Sequence, residues 1–117
     1  MTKLTKIYKP FSVVTVPFPF TDNEKTKKRP ALVLSSLSHQ EETGHATLAM
    51  ITSAKNSTWF NDHLILSIEE TGLHSPSIVR QKIFTIDNRL IVECIGHIVG
   101  GDKKKVVKLL LQHLSLS

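Results

Sequence analysis

The chain has 117 residues, of which 40% are apolar and 21% charged, with a formal net charge of +5. That composition describes an ordinary globule able to bury about 65% of its unfolded surface, and it excludes a disordered or low-complexity chain. A single cysteine, Cys94, excludes an internal disulfide and fits a reducing cytoplasm, while no apolar run approaches the ~18 residues of a membrane span.

The charge is unevenly distributed. Residues 1–30 carry seven bases and two acids, whereas the remaining residues carry eight of each, so the whole excess sits in the first quarter of the chain. Such a concentration suits a polyanionic partner, although a basic loop that keeps the protein in solution has the same composition. The basic N-terminus is interrupted by Lys6, Lys9 and Pro10 and does not read as a signal peptide.

In chain order, Ser12–Val16 is rich in β-branched residues and is expected to form a strand. Pro17 and Pro19 cannot donate ladder hydrogen bonds, so this strand must end there or lie at an edge. Turn residues at 21–24 open a basic loop running to Arg29, and Pro30–Ser35 is a second, doubly apolar strand. Residues 38–44 are expected to be a polar connection. A third strand covers 46–52, with Leu48, Met50 and Thr52 on one face. Residues 54–62 (AKNSTWFND) look like a loop and 63–66 a short strand, while the state of 77–82 stays open. Strands follow at 83–86 and 91–99, and Gly96 in the latter suggests a bulge or a close backbone approach. Gly100-Gly101 breaks the strand, Asp102 is a candidate N-cap, and Val107, Leu110, Leu111 and Leu114 line one face of a helix over 103–114. Short strands closed by one helix indicate a small bent antiparallel sheet or barrel, with residues 1–117 as one domain.

The chemistry is weighed residue by residue. Cys94 and His97 lie three apart on an expected strand, which points them to opposite faces, and no second ligand pair has zinc-like spacing. No metal and no cofactor are expected, and core packing is the better account of both residues. The six histidines are scattered and fall in no nucleophile or base motif. Lys103–Lys105 oppose the helix dipole and read as a solvated face. Arg29 is the sharper candidate: where a basic loop enters a buried strand, its guanidinium can grip two phosphate oxygens at once. Thr52 ends another strand at a core edge. If those two strand ends meet, a fork of donors and a hydroxyl flank one pocket; a surface ion pair at Arg29 is the alternative.

VPFPFTD, KKRPALVLS, ITS, PSIVRQKIFTID and IGHIVGGD before a terminal helix, in that order, resemble the MazF/PemK toxins of bacterial toxin–antitoxin systems. The resemblance runs from about residue 10 to 114. It implies a mainly β fold with α, a small SH3-like β-barrel with a C-terminal helix. It also implies a homodimer, a cognate antitoxin, and metal-independent endoribonuclease activity on single-stranded RNA through 2′-hydroxyl attack. By position, Arg29 of RP and Thr52 of IT are the expected catalytic pair. RNA contacts are expected from Thr21, Lys25, Lys27 and Lys28 of the first loop, and from Ser53, Ser77, Arg80 and Lys82. Many members begin the first strand with Gly-Asp, where this chain has Phe11-Ser12. A CcdB-like gyrase poison, similar in fold but without catalysis, is the competing class, along with a member that binds RNA without cutting it.

Overall fold

A computed structural model describes residues 5–18, 27–56 and 58–116. Six antiparallel strands form one curled sheet in the order β4-β5-β3-β2-β1-β6. They are β1 (Ser12–Phe18), β2 (Lys27–Val33), β3 (His45–Ser53), β4 (His63–Leu64), β5 (Ser77–Asp87) and β6 (Glu93–His97); helix α1 (Leu37–Thr43) follows β2 and α2 (Gly100–His113) ends the chain. This is the bent barrel with a terminal helix expected from the sequence. No helix among the described residues is long and apolar enough to cross a membrane.

Strand alternation sends side chains to two sides of the sheet, and each side has its own core. On the front, Val14, Val16, Ala31, Val33, Ala46, Leu48 and Ile86 pack beneath Tyr8 and Ile91. On the back, Val13, Leu32, Ala49, Ile51 and Val79 pack against Ile65, Ile98 and Val106 of α2. Val13, Val14, Leu32 and Leu48 are fully buried, each stabilising the fold by about 1.5–3 kcal/mol through water exclusion. The register slips between Val13 and Val14 and between Ala49 and Met50, and such irregularities sharpen the curl.

Several elements differ from the sequence reading. Lys27, Lys28 and Arg29 belong to β2, paired with Phe18, Pro17 and Val16, rather than to a loop. The ladder runs through Pro17 because β6 flanks β1 only as far as Thr15, so the missing N–H faces no neighbour strand. The connection at 38–44 contains α1, capped by Ser36 Oγ accepting from the His39 N–H and closed by Gly44 in the left-handed region. The open segment 77–82 is the start of the eleven-residue β5.

Helix α2 differs most. It begins at Gly100, with Val99 at its N-cap, and Asp102 sits inside the first turn. There Asp102 is 2% exposed and accepts from the Leu66 and Ser67 N–H groups and from His63 Nε2 at 2.7–2.9 Å. Burial pushes this carboxyl up, but those two N–H groups and the His63 ring outweigh burial and hold it below the ordinary range. Val106 and Leu109 face the sheet, while Val107, Leu111 and Leu114 of the expected apolar face are exposed.

Two backbone points matter at the strand entrances. Phe11, at the entrance to β1, has φ +72°, a conformation that costs a side-chain-bearing residue about 1–2 kcal/mol. It is held by its N–H donating to Val33 O and by Lys103 Nζ lying 5.0 Å from its ring. At Gly96 a Cβ would come within 2.4 Å of the Thr71 carbonyl carbon, so the suspected close approach and the bulge are both present.

Candidate nucleic-acid interface

The pairing of β2 with β3 sets Ala31 opposite Met50 and Val33 opposite Leu48. Continuing that register brings Arg29 beside Thr52, on the front of the sheet. The two residues line one recess of about 150 Å³ together with Val16, Pro30, Met50, Ile51 and Phe84. The recess lies at one end of the front core, and its lining is mostly apolar. Arg29 is exposed and Thr52 half-buried at its margin. The convergence on which the sequence reading of this pair depended is present.

Asn56, in the turn after β3, donates from Nδ2 to Thr52 Oγ1. With one lone pair engaged, the Thr52 hydroxyl keeps its own hydrogen to give to an incoming oxygen. Lys27 shares the front side with Arg29 by alternation, whereas Lys28 projects to the other side; both are exposed. Lys82 is exposed at the irregularity in β5.

The other expected contacts divide. Ser53 and Ser77 are paired with each other and alternate onto the side away from Thr52. Ser77 is buried and donates to Ser75 O, and Ser53 Oγ accepts from the Lys55 N–H. Arg80, opposite Met50, does lie on the front, but its side chain is 9% exposed and held by the Asp62 carboxylate. Nε donates to Oδ1 at 3.2 Å and Nη2 to Oδ2 at 2.9 Å, and the guanidinium lies 4.9 Å from the Trp59 ring centroid. Thr21 and Lys25 lie outside the described residues.

Sequence reasoning missed Asn56, Trp59 and Asp62. An arginine within an apolar strand and one acid in the 54–62 loop were the signals available for the Arg80–Asp62 pair. Cys94 and His97 are corrected: both are exposed, because β6 is an edge strand paired only with β1, and neither packs in a core. No group of three or more His, Cys, Asp or Glu among the described residues is arranged to hold a metal ion. No histidine lines the recess; His63 is engaged by Asp102 and His113 by Gln81.

The sequence profile of the PemK-like, MazF-like toxins of type II toxin–antitoxin systems matches residues 9–114. The chain belongs to that family. Its fold agrees with solved MazF structures. The Mycobacterium tuberculosis toxin MazF-mt6 is 18% identical with TM-score 0.72, covering 91% of this chain and 98% of that chain. MazE–MazF from Deinococcus radiodurans is 19% identical with TM-score 0.73, covering 96% and 99%. An endoribonuclease in complex with its cognate antitoxin from a Mycobacterial species is 13% identical with TM-score 0.70, covering 92% and 93%. At these identities the likeness is one of fold. No curated protein matches in sequence. In this MazF-like chain the matched span contains Arg29, Thr52, Asn56 and the whole Trp59–Asp62–Arg80 group.

Proposed function

We propose that the protein is a toxin endoribonuclease that cuts single-stranded RNA at the Arg29–Thr52 recess. The observation that carries this reading is the convergence of a guanidinium and a hydroxyl, 23 positions apart in the chain, on one recess with Lys27 on the same side. Cations and a hydroxyl at a mostly apolar notch suit a phosphodiester whose flanking nucleotides are splayed over the surface.

The chemistry needs no bound ion. The 2′-oxygen attacks phosphorus, the bond to the 5′-oxygen breaks, and the products are a 2′,3′-cyclic phosphate and a 5′-hydroxyl. One proton leaves the 2′-oxygen and one arrives at the departing 5′-oxygen. Arginine keeps its proton through neutral pH and is therefore a poor base. Arg29 acts as an electrostatic clamp on the phosphorane oxygens, where preorganised donors lower the barrier by several kcal/mol. Thr52, oriented by Asn56, donates to a non-bridging oxygen. Water takes the 2′-proton, and a water molecule delivers one to the departing 5′-oxygen.

Family membership supports two protein partners, a cognate antitoxin and a second copy of the chain. The groove of about 490 Å³ between α2 and the Leu34–Ser36 segment, edged by exposed Val107, Leu111, Leu114 and Leu116, is the surface we assign to the second copy. Its apolar ridge and groove lie side by side, as a two-fold contact requires.

The test is incubation with a long RNA in EDTA followed by mapping of the cut ends. Discrete cuts bearing 2′,3′-cyclic phosphates are expected. RNA that is bound but left intact, or not bound at all, would refute the proposal.

A further inference from the structure

The loop between β3 and β4 carries a side-chain arrangement that the cleavage chemistry does not use. Its residues 59–62 form a tight turn: the Asp62 N–H donates to Trp59 O at 3.2 Å, and the Trp59 N–H donates to Asp62 Oδ2 at 2.8 Å. Asn61 at φ +62° lets the chain reverse there. The same Asp62 carboxylate grips Arg80 through both oxygens, with the acid's side chain 5% exposed. Arg80 in turn lies under the Trp59 ring at 4.9 Å.

A buried ion pair loses most of its attraction to desolvation, so as a stabilising device it does little. Here it fixes the position of an aromatic ring. Despite being anchored through both backbone and ring, Trp59 is 43% exposed, and the adjacent Phe60 is 93% exposed. An indole held against a cation and left 43% exposed is preorganised for stacking. Its location suits a nucleotide. Arg80 pairs with Met50, a wall of the Arg29–Thr52 recess, and Thr52 lies two residues further along the same side of β3. The segments that carry the group also bear cations: Lys55 of the loop and Lys82, two residues beyond Arg80, are exposed, and the one acid of the 54–62 loop is engaged by Arg80.

We propose that Trp59, seated on the Asp62–Arg80 pair, is a base-stacking residue that receives the nucleobase next to the cleaved linkage. This rests on the RNA-cleaving reading and adds a recognition element to it. Every base has a π-face, so the stack contributes affinity and register while hydrogen bonds elsewhere choose the sequence. Trp59 touches substrate but moves no proton, which separates it from Arg29 and Thr52.

Trp59 is the chain's single tryptophan, so its emission reports its environment directly. The probe is a labelled single-stranded 2′-O-methyl RNA of mixed sequence, which lacks the nucleophile and stays intact. Titrating it into the protein should quench Trp59 emission with the same midpoint as the anisotropy of the label. Trp59→Ala should bind it about tenfold more weakly, and Trp59→Phe should recover most of that loss. In steady-state cleavage of ordinary RNA, Trp59→Ala should raise KM about tenfold and leave kcat within about threefold. RNA that binds without altering the emission, or a Trp59→Ala protein that binds RNA normally and is weakened only toward a protein partner, overturns the stacking role. Absence of any RNA cleavage by the parent protein overturns the reading beneath it instead.

Discussion

The two sides of the sheet each carry an ionised group at the margin of an apolar core, and they treat it in opposite ways. On the back, Asp102 is buried in the first turn of α2 and surrounded by internal donors from Leu66, Ser67 and His63. On the front, Arg29 stands exposed beside Thr52 at a recess lined mostly by apolar residues of the strands. The difference teaches how an edge charge is to be read. A buried charge surrounded by internal donors ties elements together, and an exposed one at the mouth of a recess can be reached by an incoming ligand of opposite sign. Substitutions on the back should therefore damage stability, and substitutions on the front should damage chemistry.

The largest effect expected from breaking that division is at Asp102. Asp102→Ala strands the Leu66 and Ser67 N–H groups and a histidine, and should cost about 3 kcal/mol, or about 12 °C in melting temperature for a chain of this size. Any cleavage activity of the folded fraction should survive. Because the Asp102 carboxyl is held below its ordinary value, its contribution is present at neutral pH. It is lost as pH falls through the lowered folded value, so the gap between parent and variant should narrow in acid. A gap that widened in acid would assign Asp102 the wrong sign.

On the front, Thr52→Val should slow cleavage about tenfold at unchanged melting temperature, with Thr52→Ser recovering most of the rate. Smaller still is the contrast between neighbours in β2. Lys27→Ala should reduce the slope of log affinity for RNA against log salt by about 0.7, the value for one phosphate contact on a single strand. Lys28→Ala, on the opposite side, should change it by less than half as much. Equal slopes would mean that strand alternation does not govern contact here.

The smallest effect concerns Asp87. Hydrogen bonds from the Arg89 side chain and backbone N–H lower its carboxyl to about 2. Its stabilisation should fade as pH drops from about 4 toward about 2, and Arg89→Ala, which keeps the backbone N–H, should remove the side-chain share of that acid response. The pair is largely solvated, so the shift in melting midpoint should stay under about 2 °C.

What the sequence disclosed follows from which signals are local. The Leu48–Met50–Thr52 face was legible because strand alternation needs only residue spacing, and Gly96 because a missing side chain marks a close approach. Helix α1 was not, because it buries Gln40 rather than an apolar stripe. Gln40 lies inside the fold, where its amide meets the Tyr8 backbone and Asn88. In α2 the apolar residues make two overlapping stripes, and spacing alone could not say that Val106 and Leu109 face the sheet while Val107 and Leu111 look outward. Asp102 has the residue type of a cap, but its partners lie more than 30 positions away. The Trp59–Asp62–Arg80 group was invisible for the same reason: nothing periodic links a loop acid to an arginine on a distant strand. Within the site itself, strand ends made the Arg29–Thr52 convergence only a conditional reading, which needed the pairing of β2 with β3, and Asn56 required the turn geometry.

The central claim is that Arg29 supplies the charge stabilisation for metal-free RNA cleavage. Its most direct test is the single-turnover rate on one RNA in EDTA for the parent protein and for Arg29→Ala, with melting temperatures measured alongside. The account predicts a rate lower by at least about a hundredfold in a variant that melts within a few degrees of the parent. A folded Arg29→Ala protein cutting within about threefold of the parent rate would contradict it.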